Sequence, residues 1–197
     1  MFFPKPETKH IASYRKAYEH SMAHLLGIIP THTKILFGSS ILAYGDTLGN
    51  TVTEESSPCR NLTPTSAILA GENLLKNSHH PHLILRLGHL YTTQKSLIDQ
   101  IRNQKVTYSQ RRQIINHIHI EDLTEAALHL SRHYGTFNIV DRNPMVLNTL
   151  YSLMSTRLGI SIQTPKKWLP RYKGAKVSNA KLLSTGFIFK HPSYITQ

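Results

Sequence analysis

A chain of 197 residues with 40% hydrophobic content can bury one substantial core and does not call for a second large domain, so a single domain is expected. Its formal charge of +12 and pI near 9.9 favour polyanions at long range, but Lys and Arg come in ones and twos without aromatic interleaving, which argues against a nucleic-acid platform. No apolar run approaches the roughly 18 residues of a spanning helix, no export signal opens the chain, and a lone Cys59 excludes an internal disulfide, so a soluble cytoplasmic protein is expected.

In chain order, Ile11, Tyr14, Tyr18, Met22, Leu25 and Leu26 recur at spacings of three and four, which predicts an amphipathic helix. Lys34 to Gly38 is a short apolar run, read as a buried strand ending at Ser39-Ser40. The polar stretch from Gly45 to Thr63 is long enough to be a functional loop over a site. Thr63-Pro64 starts a helix whose body is Ala67 to Leu75, and His82 to Leu87 is a second buried strand. Strand, loop, helix and strand in this order make a parallel crossover, so the class is α/β. Downstream, Leu97 to Arg102 reads as helical and Ile114 to Ile120 as extended. Glu121-Asp122 open a helix to about His133, Thr136 to Val140 form a strand, and a helix after Pro144 runs to about Arg157 and stops at Gly159. Lys166 to Lys176 is a basic, proline-containing loop.

Several segments lie in one order. Ser39-Ser40-Ile41-Leu42-Ala43-Tyr44-Gly45 follows a buried strand; Thr53-Glu54-Glu55-Ser56-Ser57-Pro58 and Glu72 come next, then Leu85-Arg86-Leu87-Gly88-His89-Leu90-Tyr91. Asn116 to Leu123, Phe137 to Asp141, Lys176 to Leu182, Gly186-Phe187 and Pro192-Ser193-Tyr194 complete the series. This ordered set, spanning nearly the whole chain, resembles the middle and C-terminal part of an NAD-dependent epimerase/dehydratase of the extended short-chain dehydrogenase type. The resemblance implies a partial Rossmann-like parallel sheet flanked by helices over 1–110 and a small C-terminal substrate-side portion over 111–197. It also implies an NAD or NADP cofactor and a nucleotide-sugar-like substrate. Ser40 would orient a substrate oxygen; Ser39, Leu87, Gly88 and Tyr91 would border the cofactor; Tyr44, Asn116 and His119 would lie on the substrate side. Read from the residues alone, Ser39 and Ser40 can equally satisfy backbone groups at a strand-to-loop turn. Gly88 can be an ordinary glycine ending a strand.

The sequence departs from the family at two places. Counting back from Glu72, the positions of the acid/base Tyr and its Lys are taken by Pro64 and Ile68, which cannot move a proton. Tyr91-x-x-x-Lys95 and Tyr172-x-x-x-Lys176 have the spacing but not the context. No Gly-rich phosphate loop is present, so the first βαβ half is expected to be missing and the cofactor's pyrophosphate to lack a helix N-terminus. Met1 to Phe3 would then be a stub beside the strand at Ile35, leaving a nearly bare edge for a partner or a second copy. The expected outcome is weak or absent activity alone. An assembly subunit completing its sheet with a partner is the alternative, and a polyanion binder a more remote one. His79-His80-Pro81-His82 and His117-x-His119 lack zincin spacing, so no metal is expected; Asp122 is read as a helix N-terminal charge and Cys59 as an incidental thiol.

Overall fold

The computed structural model describes residues 1–58, 64–92, 101–103, 110, 112–161, 169 and 171–193. The expected Cys59, Thr63, Lys95, Lys166 and Tyr194, and most of the helix expected at Leu97, lie outside this range.

Three parallel strands, β1 (Ile35–Ser40), β3 (His82–Leu87) and β7 (Gly135–Ile139), form the central sheet in the order β1-β3-β7. Their register sets Phe37 against Ile84 and Leu85 against Phe137. Side chains alternate across each strand, so Ile35, Phe37 and Ile84 face one side while Leu36, Leu83 and Leu85 face the other. Strands buried on both faces need helices on both faces, and the chain supplies them.

On the first face lie α1 (Ile11–Tyr14), a π segment (Arg15–His20), α2 (Ser21–Ile28) and α3 (Thr65–Lys76). Tyr18, Met22, Ile68 and Leu75 from these elements close over Ile35, Phe37 and Ile84. The periodic segment expected as one helix is therefore helical from Ile11 to Ile28, with its middle widened to π geometry. That widening sits where the Tyr18 carbonyl approaches Gly71 so closely that a Cβ there would lie 2.5 Å from the oxygen. On the second face, α4 (Ile120–His129) and α6 (Ala180–Ser184) bring Leu123, Ala126, Ala127 and Leu182 against Leu36, Leu83, Leu85 and Ile139. Phe187 and Phe189 join the same cluster, so the C-terminal residues are part of the main core.

The fold is thus α/β, a Rossmann-like parallel sheet covered by helices on both faces. At the β1 edge a single bridge is made among the described residues. Phe2 N donates to Leu36 O and Gly38 N to Phe2 O, both at 2.8 Å, and the Phe2 ring stacks on Phe37 at 5.8 Å. Gly38 has no Cβ because the Phe3 ring occupies that space.

Smaller pairings carry the remaining extended residues. β2 (Thr51–Val52) pairs with β10 (Lys176–Val177), and β4 (His89–Tyr91) with β6 (His117–His119). β5 (Arg112–Ile115) lies between β8 (Met145–Val146) and β9 (Tyr172–Lys173). The stretch expected to be extended from Ile114 to Ile120 is two short strands broken at Asn116, and the helix begins one residue early at Ile120. Its first turn carries Glu121 and Asp122 as expected for the positive end of a helix. The α5 helix (Leu147–Leu158) ends at Gly159, whose φ of +65° gives the left-handed cap. Among the described residues no helix is long and apolar enough to cross a membrane.

Candidate functional site

At the C-terminal ends of β1 and β3, where parallel sheets present their ligand sites, the chain opens a cleft of about 500 Å³. Its floor is Ser40, Ile41, Leu87 and Gly88; Pro64 and Thr65 at the start of α3 make one wall. The opposite wall is Gln113 to Asn116 from β5 and Lys173 to Ala175 from the segment joining β9 and β10.

Local structure explains why these walls stand where they do. Ser40 caps the short 3-10 turn Ile41–Tyr44, accepting from Leu42 N at 3.2 Å through its own oxygen, and its hydroxyl proton meets no acceptor among the described residues. The polar stretch after Gly45 folds back over the opening: Asp46 Oδ1 accepts from Gly174 N at 2.8 Å, and Gly49 N donates to Gly174 O at 2.8 Å. Asn116 bridges two backbone groups, its Nδ2 donating to Ala175 O and its Oδ1 accepting from Val177 N, both at 2.9 Å. It therefore holds the far wall in place and lines the cleft at the same time.

Gly88 borders the cleft, but its missing Cβ is required by the protein itself. A Cβ there would lie 2.8 Å from Asn116 O, which accepts from His89 N. Ser39 points away from the opening and donates to Glu72 Oε1 at 2.6 Å. Tyr44 is buried, donates to Asn138 Oδ1 at 2.6 Å and stacks under the Arg86 guanidinium. Tyr91 and His119 pair across β4 and β6, their rings 5.0 Å apart, and neither borders the cleft. Four of the eight residues singled out from sequence, Ser40, Leu87, Gly88 and Asn116, thus meet in the cleft. The other four lie behind or beside it.

Behind the floor sits a charge network that joins three residues of the ordered segments, Ser39, Glu72 and Arg86. Arg86 donates to Glu72 through Nε at 2.9 Å and Nη2 at 2.7 Å, and both side chains are buried. Burial alone would raise the Glu72 pKa, but the hydrogen bonds and charge of Arg86, with Ser39 and Lys76, hold it below the usual carboxylate range. Burial likewise would lower Arg86, and Glu72 outweighs it and keeps the guanidinium charged. Pro64 lies on the cleft wall and Ile68 in the core.

The wall residues Gln113 to Ile115 and Lys173 to Ala175 were invisible to motif reading. At Gly174 backbone meets backbone: its φ is +90° and a Cβ would lie 3.2 Å from Ile114 O.

No protein-family model matches the sequence, and no curated protein sequence matches it. Solved structures do share the fold. MoeE5 in complex with UDP-glucose and NAD superposes with a TM-score of 0.78 at 15% identity, over 98% of this chain and 75% of that one. UDP-glucuronic acid 4-epimerase from Bacillus cereus, in complex with NAD, gives 0.71 at 21% identity over 90% and 63%. The dTDP-glucose 4,6-dehydratase from Bacillus anthracis, also with NAD, gives 0.74 at 16% identity over 94% and 66%. The fold is therefore that of NAD-dependent epimerases and dehydratases. This chain spans about two thirds to three quarters of the length of these proteins.

Proposed function

We propose that this chain is an epimerase/dehydratase-like protein that binds a nucleotide-sugar-type ligand in the cleft and has weak or no hydride-transfer activity alone. The observation that carries this reading is the cleft itself, set at the strand ends of the same fold that holds UDP-glucose in one neighbour and NAD in several. Within it, Ser40 offers a neutral donor to a sugar hydroxyl or carbonyl without titrating, and Lys173 adds positive charge at the rim. Leu87 and Ile41 supply the apolar floor on which a ring can lie.

The residues present fit the sugar and nicotinamide end of such a complex better than the whole of it. NAD or NADP would bring the hydride acceptor. The position expected for the proton-transferring tyrosine is Pro64, which has no proton to give or take, and no Gly-rich loop in this sequence cradles a pyrophosphate. Calorimetric titration of the folded chain with NAD(H), NADP(H) and UDP-glucose tests the proposal. Micromolar UDP-glucose binding that weakens about threefold to tenfold in Ser40→Ala is expected from the loss of one hydrogen bond. No binding of any of these ligands by the folded chain would overturn it.

The edge of β1 supports a second reading, in which the chain is a binding or assembly subunit. Beyond β1 the sheet is met only by the Phe2 bridge among the described residues, so most of the strand's outer hydrogen-bonding groups remain for another strand. Light scattering separates the two: a monomer that binds UDP-glucose favours the first, and a stable complex without ligand binding the second.

A further inference from the structure

The geometry points to a divalent transition-metal site built from His119, Glu121 and His191, outside the cleft. One ring nitrogen from each histidine and one carboxylate oxygen all lie within 4.8 Å of one another. Two imidazoles and a carboxylate are a donor set suited to Zn²⁺ or Co²⁺, with a fourth place left for water, and unsuited to the all-oxygen shells of Mg²⁺ or Ca²⁺.

The distances are close to what coordination needs. Zn–N and Zn–O bonds of roughly 2.0–2.2 Å put neighbouring tetrahedral ligands about 3.3 Å apart. His191 Nε2 and Glu121 Oε2 are 3.1 Å apart. The other separations are at most 4.8 Å; rotation of Glu121, which is more than half exposed, shortens its own distance to His119, and the two histidine rings already lie with centroids 3.7 Å apart.

Three segments hold the donors, and their backbones are tied together. His119 ends β6, Glu121 lies in the first turn of α4, and His191 comes from the C-terminal segment. Asp122, fully buried, binds that segment to the helix, its Oδ1 accepting from Lys190 N at 2.8 Å and its Oδ2 from His191 N at 2.9 Å. A site whose ligands are positioned by such supporting bonds loses little entropy on binding.

An independent observation concerns His119, which is 1% exposed. Its Nδ1 accepts from Glu121 N over a long 3.3 Å, and its Nε2 is buried with no hydrogen-bond partner among the described residues. Neither placement of the ring proton satisfies both nitrogens. On Nε2 it is a buried donor without an acceptor, and on Nδ1 it removes the cap bond. A metal ion bound at Nε2 fixes the ring proton on Nδ1: the long 3.3 Å contact with Glu121 N is given up, and the buried Nε2 gains the partner it lacks.

The test uses the untagged full chain, titrated with Zn²⁺ by calorimetry and with Co²⁺ by visible absorption. One equivalent per chain is expected, with the d–d bands of a four-coordinate cobalt centre and a raised melting temperature. His191→Gln and Glu121→Gln should each weaken binding at least about tenfold while remaining folded, since both side chains are partly or largely exposed. His79→Gln and His82→Gln, in the other histidine cluster, should leave the affinity unchanged. Absence of binding by the folded wild type overturns the proposal, as does binding that survives in both His191→Gln and Glu121→Gln.

Discussion

Glu72 shows how far one residue's role depends on its surroundings. Helical propensity would place it on any solvated face, but it is fully buried with Arg86 in bidentate contact. Removing one partner leaves the other as an uncompensated buried charge, so Glu72→Gln is expected to cost about 3–5 kcal/mol in urea denaturation. Because its folded pKa lies below the unfolded value, its contribution is full above the unfolded pKa of 4.5 and is lost as pH falls through the folded one. The variant's stability should therefore vary less with pH in that acid range than the wild type's. His117 acts at milder acidity. Burial, and secondly the neighbouring His89, lower its pKa from 6.5 to about 4. The unfolded chain takes up the proton first, so this group's contribution is complete above pH 6.5 and declines as pH falls toward 4. The decline amounts to about 3 kcal/mol. Urea midpoints measured across this window should fall less steeply for His117→Gln; equal slopes would mean that His117 is not the group responsible.

At the scale of elements, the contact between the π segment and α3 depends on Gly71. A methyl group there would lie 2.5 Å from the Tyr18 carbonyl oxygen, which is backbone and cannot swing aside. Gly71→Ala would gain helix propensity on an exposed face, but here it should destabilise by about 1–3 kcal/mol, read from thermal or urea unfolding. Tyr18 itself is buried against Phe37 at 6.2 Å, and burial raises its hydroxyl pKa to about 12. The edge bridge is a second element-scale contact. Phe2 and Phe3 cover β1 with one ring stacked on Phe37 and the other over Gly38. Deleting residues 1–3 should expose that strand and increase concentration-dependent association in light scattering, whereas an unchanged profile would show that the bridge is not what restrains it.

For the molecule as a whole, the cleft is assembled from parts far apart in sequence. Thr47 Oγ1 reaches Gly174 O at 3.2 Å, Asn116 holds residues 175–177, and Pro64 and Thr65 close the third side. No single segment contains the site, so its stability and its ligand affinity should be coupled. A ligand seated between these walls binds the folded chain only and raises its melting temperature with concentration. UDP-glucose at a hundred times its dissociation constant should stabilise the chain by about 2.7 kcal/mol; no shift at that concentration would contradict binding at the assembled cleft.

Local pattern by itself determined the strands at Ile35, His82 and Gly135, the helices after Pro64 and Glu121, and the stop at Gly159. Each is set by short-range physics: runs of β-branched and aliphatic residues, a helix-entry turn and a glycine that can take positive φ. The ordered motifs also made the parallel α/β class legible, and they brought Ser40, Leu87, Gly88 and Asn116 to notice. Tertiary structure alone decided the rest. It turned Ser39 at the end of β1 toward Glu72 and Tyr44 in the following turn toward Asn138, because the buried partners that receive these hydroxyls come from distant segments. It also widened a helix at Tyr18 to admit Gly71, and drew His191 to His119 and Glu121 across some seventy residues of chain, a proximity that no spacing in the sequence encodes.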